Sequence, residues 1–229
     1  MRRIGLLGGM SWESSVEYER VINTAVRERL GGTHSGDLVV RSYDFAEIES
    51  LQERGDWAAL GALLAADATV LERAGCELLL ICTNTMHLLA DEVQSAVAIP
   101  VLHIADACAD AIEAAGVDTV ALLGTRYTME LGFYQERLAE RGITTLVPDE
   151  LDRGLVHDVI YHELVRGIVS DNSRTAYMNI IADLQRAGAA GVIAGCTEIE
   201  LLLRADDLDV PLFPTARLHA LAAVDAALA

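Results

Sequence analysis

Two cysteines in this chain stand in the same local pattern. Cys82 ends the apolar run Leu78-Leu79-Leu80-Ile81 and is followed by Thr83-Asn84-Thr85. Cys196, 114 residues later, ends Val192-Ile193-Ala194-Gly195 and is followed by Thr197-Glu198. A short apolar run closed by a thiol, with small polar residues before helical patterning resumes, reads as a buried strand leading into a helix N-terminus. A helix N-terminus lowers a thiol's pKa from its reference of about 8.5, which predicts a usable thiolate near neutrality. Free cysteine is also among the most buried residue types, and either residue alone would more often be core. The repetition at a strand end favours chemistry: one acid/base group on each side of a ligand. Cys76 and Cys108 lack this context and read as structural.

The neighbours fit a small charged ligand. Thr83, Asn84 and Thr85, with the backbone N–H groups of a helix start, can hold a carboxylate, although ordinary N-capping explains one threonine. Glu198 can accept from an ammonium group or complement a helix dipole. Gly5, Gly8 and Gly9 do not spell G-x-G-x-x-G, so a dinucleotide site is not expected. They allow either close approach of a ligand to the backbone or a plain turn. The histidines assemble no metal site: His157 and His162 are five apart, and His162-Glu163 lacks the second histidine of HExxH. His87 and His103 fall near strand ends and read as packing or supporting residues.

Composition narrows the class. With 229 residues and 52% hydrophobic content the chain is globular and can bury a substantial core. Its net charge of -18 argues against nucleic acid as a partner. No apolar run approaches a membrane span and no signal peptide opens the chain, which with four cysteines and no CxxC predicts reduced thiols in the cytoplasm. All 17 basic residues are arginine. Without lysine there is no Schiff base to pyridoxal phosphate or a carbonyl substrate, and no Walker A loop.

The elements that must position the thiols follow an alternating order. Strands are expected at Arg3–Leu7, Asp37–Tyr43, before Cys82, at Ile99–Ile104, Gly116–Thr125, Thr144–Pro148, before Cys196 and at Val210–Pro214. Helices are expected at Glu13–Arg29 behind an N-cap at Ser11, at Trp57–Ala74, Met86–Val97, Ala105–Ala115, Met129–Arg141, Leu155–Val169, Arg174–Ala187, Glu198–Leu203 and the C-terminus. This alternation predicts a parallel α/β protein. Gly124 lies 116 residues beyond Gly8, close to the spacing of the cysteines, so two similar lobes are expected. The division drawn from it is residues 1–99 plus 211–229 for the Cys82 lobe and 100–210 for the Cys196 lobe; a single large sheet is the alternative.

Gly5-Leu6-Leu7-Gly8-Gly9-Met10, Cys82-Thr83-Asn84-Thr85, Gly124-Thr125 and Gly195-Cys196-Thr197-Glu198 together resemble the aspartate/glutamate racemase family over nearly the whole chain. The resemblance implies two pseudo-symmetric α/β lobes, each a mainly parallel sheet flanked by helices, with an active site between them, commonly in a homodimer. It implies inversion of an amino acid α-carbon without a cofactor, one cysteine removing the α-proton and the other returning a proton to the opposite face. By the same resemblance Asn84, Thr85 and Thr125, with Thr83 beside them, would bind the α-carboxylate. Thr197 and Glu198 would orient the amino group, and Met10 and Gln52 would line the pocket. Arg166 resembles a side-chain-carboxylate ligand of aspartate-acting relatives, or is a solvated helix-end arginine. Residues 45–52 carry no arginine where aspartate-specific relatives have one, and this allows a broader substrate range.

Two other readings stay beside this one. A related two-cysteine enzyme, a maleate isomerase or hydantoin racemase, would use Cys82 as a nucleophile or act on another substrate. A non-catalytic amino-acid-binding or redox-sensing protein would pair or oxidise the thiols.

Overall fold

The computed structural model describes all residues, Met1–Ala229. The chain separates into two compact units, Met1–Ile104 with His219–Ala229, and Ala105–Leu218.

In the first unit, strands β1 (Ile4–Gly8), β2 (Leu38–Ser42), β3 (Leu78–Ile81) and β4 (Val101–Leu102) form an all-parallel sheet in the order β2-β1-β3-β4. Every residue of β1 and β3 is buried, as a parallel sheet covered on both faces requires. Helices α1 (Trp12–Leu30), α2 (Phe45–Glu53), α3 (Trp57–Arg73) and α4 (Ala90–Ser95) belong to this unit. Ser11 caps α1, its hydroxyl accepting from Ser14 N–H, while the Asp44 and Asp56 carboxylates cap α2 and α3. Leu60, Leu64, Ala68 and Leu71 of α3 join Leu7, Leu79, Ile81 and Val93 in one apolar core. Truncating a buried leucine in such a core costs about 2–5 kcal/mol.

In the second unit, β5 (Thr119–Gly124), β6 (Thr144–Leu146), β7 (Val192–Gly195) and β8 (Leu212–Pro214) repeat the plan in the order β6-β5-β7-β8, again parallel. Its helices are α6 (Arg126–Glu130), α7 (Phe133–Ala139), α8 (Glu150–His162), α9 (Asp171–Arg186) and α10 (Ile199–Leu202). The boundaries between units fall inside α5 (Ile104–Ala114) and α11 (Thr215–Leu228). No helix is long and apolar enough to cross a membrane.

The sheets correct the expected division of the chain. Val101–Leu102 pairs with β3 in the first sheet, not the second, and Leu212–Pro214 pairs with β7 in the second, not the first. The backbone makes the same anchor twice, Leu79 N–H donating to the Pro100 carbonyl and Val192 N–H to the Pro211 carbonyl, each at 2.9 Å. Each unit thus keeps the proline-led strand that follows its own cysteine.

Several helices differ in extent. The expected Met129–Arg141 helix is two helices, because Gly132 at φ 77° breaks the run. Helix α8 starts five residues earlier than expected, where the Asp149 carboxylate accepts from Asp152 N–H, and it stops at His162. After Cys82 the chain forms a 3-10 turn, Thr85–Leu89, before α4 begins. Helix α2, which its aspartate cap permits, was not anticipated.

Candidate active site

In each unit the strand order reverses beside the first strand in sequence, and its cysteine follows the adjacent third strand. Ligands of open α/β sheets bind at that position, outside the carboxyl ends of the strands. Leu7 is in register with Ile81, and Cys82 N–H donates to the Leu7 carbonyl at 2.9 Å, so Cys82 lies beside Gly8. Gly124 is in register with Gly195, which sets Thr125 beside Cys196.

Around Cys82 the supporting contacts come from α1. Ser14 Oγ donates to the Cys82 carbonyl at 3.3 Å, and Ser15 Oγ accepts from Gly9 N–H at 2.7 Å. Gly9 has φ 82°, and a Cβ there would lie 2.3 Å from Tyr43 N. A Cβ on Gly8 would meet Ser15 Oγ at 2.5 Å. The room beside both glycines is filled by the protein itself, which favours turn and packing over ligand access. Met10 and Met86 are buried in the same apolar cluster, and buried Gln52 of α2 donates from Nε2 to Met86 Sδ at 3.3 Å. Met10, Gln52 and the turn after Cys82 are therefore brought together. Asn84 and Thr85 are buried in that turn, with Thr83 half-exposed.

His87 ties this turn to the next strand. Its Nδ1 lies 2.8 Å from the Thr83 carbonyl, and its Nε2 accepts from Ile104 N–H at 3.1 Å. These partners assign the proton to Nδ1. Burial, with His103 and His219 close by, holds its pKa well below the usual histidine value and keeps the ring neutral. His219 is engaged too, between Tyr18 OH and the Leu102 carbonyl, each at 2.8 Å. No group of histidine, cysteine, aspartate or glutamate side chains here could hold a metal ion.

Around Cys196 the side chains bond one another. Cys196 Sγ–H donates to Glu198 Oε2 at 2.8 Å, and Thr197 Oγ1–H donates to the same oxygen at 2.9 Å. Glu198 is buried, and Cys196 is partly buried. Buried Thr125 caps α6, its Oγ1 accepting from Thr128 N–H at 3.3 Å. Thr215 anchors β7 from the far side by donating to the Ala194 carbonyl at 2.9 Å. Arg166 lies in a 3-10 turn, Leu164–Arg166, which packs against α10; its side chain is exposed and makes no ion pair.

The thiols are not poised as thiolates. Burial pushes both well above the usual cysteine value. The Glu19 charge adds to this at Cys82; the Glu198 and Glu200 carboxylates add to it at Cys196. The expected lowering by a helix N-terminus does not win, for reasons of size. A dipole contributes about 0.3–1 kcal/mol, whereas desolvation moves a buried group by up to about 3–5 units of about 1.4 kcal/mol each. The elements concerned are also only a 3-10 turn and the four-residue α10.

Residues 7–223 match the sequence profile described as Asp/Glu/Hydantoin racemase. The chain belongs to that family. Among solved structures, a candidate Asp/Glu racemase from Yersinia pestis is 50% identical, with a TM-score of 0.94 and all of both chains covered. An aspartate racemase homologue from Pyrococcus horikoshii OT3 is 33% identical over the whole of both chains, with a TM-score of 0.88. An aspartate racemase from Picrophilus torridus shares the fold at 21% identity and a TM-score of 0.75, with 99% of this chain and 94% of that one covered. The paired four-stranded sheets are thus the racemase-family fold.

Sequence reasoning did not single out four residues that act on the two cysteine strand ends: Ser14, Ser15, Tyr177 and Thr215. Tyr177 of α9 is fully buried, donates to the Val156 carbonyl at 2.9 Å, and lies close enough to Cys196 for ionisation of one to disfavour ionisation of the other. For Ser14 and Ser15 a signal existed, since two adjacent serines stand where α1 turns toward the sheet with Tyr18 and Ile22.

Proposed function

We propose that this chain is a cofactor-independent amino acid racemase in which Cys82 and Cys196 act on opposite faces of the α-carbon. The observation that carries the reading is the twofold placement of a free thiol directly after the third parallel strand of a β-α-β sheet, with a hydroxyl and an amide or carboxylate following it. Inversion needs a base on one face and an acid on the other, with roles exchanged for the two enantiomers. A two-thiol site supplies both, and membership of the racemase family supports it.

In this reading Thr83, Asn84, Thr85 and Thr125 hold the α-carboxylate, which must gain negative charge as the α-proton leaves. Donors placed for that charge lower the barrier most. Thr197 and Glu198 orient the α-ammonium group, and Met10 and Gln52 line the side-chain pocket. Arg166 is the cation offered to an acidic side chain. The substrate is aspartate, glutamate or a broader set of amino acids, because α2 carries buried Ile48 and Gln52 and no cation of its own. The homodimer and a cytoplasmic location belong to the same proposal, and light scattering of the purified protein tests the first.

The experiment is a panel of L- and D-amino acids, including aspartate, glutamate and neutral residues, incubated with reduced, metal-free protein and read by chiral separation. Conversion toward equal amounts of both enantiomers is expected. Turnover of maleate or a hydantoin without amino acid racemisation would favour the related isomerases instead.

A further inference from the structure

The chain passes from the end of α8 to the start of α9 through the short turn that carries Arg166, and Glu163 is bonded to both sides of that turn. Its carbonyl accepts from Arg166 N–H at 2.9 Å and from Ile168 N–H at 3.0 Å. Its carboxylate reaches α9, where Ser173 Oγ–H donates to Glu163 Oε2 at 2.6 Å. Ser170 Oγ–H lies 2.8 Å from Ser173 Oγ and 3.3 Å from the same carboxylate oxygen. We infer that Glu163 is a positioning residue for Arg166: by tying the end of α8 to the start of α9, it holds the turn that presents the Arg166 guanidinium to an acidic substrate side chain. This rests on the racemase reading above and on the place of Arg166 in it.

Helix capping alone does not account for these contacts. Helix α9 already has its cap, because Ser170 Oγ accepts from Ser173 N–H at 3.1 Å. The Glu163 carboxylate takes the two hydroxyls instead, and a hydroxyl chain that ends on a carboxylate polarises along its length. Packing does not hold the turn either. Leu164 is buried, but Arg166, Gly167, Ile168 and Val169 are all exposed. Gly167, at φ 71°, turns the chain back toward α9. The polar tether therefore spans the part of the connection that has no apolar anchor.

The turn packs against α10, which begins directly after Cys196-Thr197-Glu198. Fixing the turn thus fixes Arg166 relative to that motif. A long arginine side chain gives up rotamer freedom when it meets a carboxylate, and a loose backbone beneath it would add to that cost.

The test combines kinetics with proteolysis of the full-length protein. Glu163→Ala should raise KM for aspartate and glutamate by about 10-fold relative to KM for a neutral amino acid, the size of one lost hydrogen bond to a charged group, with kcat little changed. Adding Glu163→Ala to Arg166→Gln should raise KM for aspartate no further, a non-additivity that a general loss of structure would not give. Additive effects, or turnover of neutral amino acids alone, would overturn the inference. Trypsin cleavage after Arg166, followed by mass spectrometry, needs no substrate and should run about 10-fold faster in Glu163→Ala, since the same hydrogen bond sets how often the turn opens. Glu163→Gln, whose amide oxygen can still accept from Ser173, should recover most of both effects. Ser173→Ala removes one oxygen from the other end of the tether and should move both readouts in the same direction, which covers misfolding of Glu163→Ala. Unchanged cleavage in both alanine variants would overturn the tether. Faster cleavage in a protein that racemises no amino acid would overturn the racemase reading and keep the tether, whereas turnover of acidic substrates that ignores Glu163 would do the reverse.

Discussion

Cys196 and Glu198, two residues apart at the end of β7, are joined by an S–H···O hydrogen bond of 2.8 Å. Their counterparts Cys82 and Asn84 cannot make a charged version of it. The two halves of the molecule share strand order, register and motif, yet they offer a ligand different proton chemistry. Predictions about the site follow from that difference and from the packing that holds each cysteine.

Replacing either thiol tests the need for both. Cys82→Ser and Cys196→Ser should each lower racemisation by at least about 100-fold, since a serine hydroxyl is a far weaker acid/base group than a thiol. The melting temperature should change little for Cys196→Ser, whose hydroxyl keeps a partner in Glu198, whereas Cys82→Ser buries a hydroxyl and should lose about 1–3 kcal/mol while staying folded. Chiral chromatography and circular dichroism read the two effects separately.

His87→Ala should destabilise the protein by about 2–5 kcal/mol. The change leaves the Thr83 carbonyl and Ile104 N–H without their partner, at about 1–3 kcal/mol for each buried polar group, and opens a cavity. Urea unfolding measures the loss. Activity should fall with it, because His87 holds the turn that carries Asn84 and Thr85.

Stability should decline on both sides of neutrality, for different groups. The folded state raises the Cys82 and Cys196 thiols by burial and pushes Cys108 up to about 12. Groups with raised folded values give stability that is complete below the unfolded thiol value of about 8.5 and is lost progressively above it. His87, whose folded value is lowered, gives stability that is present above about 6.5 and is lost as pH falls below it. Unfolding free energy measured from pH 5 to 10 should therefore peak between about 6.5 and 8.5, and Cys108→Ala should flatten the alkaline limb.

Arg166→Gln tests recognition of the side chain. If Arg166 meets an acidic substrate, the variant should raise KM for aspartate and glutamate by about 10- to 100-fold, the range for a charge-assisted hydrogen bond, and leave neutral amino acids unaffected. Equal effects on both classes would return Arg166 to the role of a solvated arginine.

The fold was legible where hydrophobic runs and turn residues agree. The buried runs at Leu78–Ile81 and Val192–Gly195, the Ser11 cap and the glycines after α1 all stand where their types suggest. What the sequence hid was pairing. Val101–Leu102 and Leu212–Pro214 are two- and three-residue strands whose partner is decided by register with β3 and β7, and no local pattern encodes that. The motifs exposed the cysteines, hydroxyls and Glu198, but not the proton affinity of the two thiols. A thiol before a helix looks acidic on paper, and only the burial around Cys82 and Cys196 reverses the sign. Tyr177 and Thr215 were illegible for a related reason: Thr215 meets the Cys196 strand only because β8 pairs with β7, and Tyr177 acts on Cys196 from α9, and no local pattern encodes either placement.

The most direct measurement of the central claim is exchange of the α-proton in D2O, followed by proton NMR with enantiomer content in parallel. The wild type should wash deuterium into both enantiomers of its substrate while interconverting them, and Cys82→Ser and Cys196→Ser should each stop the inversion. Inversion that persists in either variant, or no exchange with any amino acid, would contradict a two-thiol racemase.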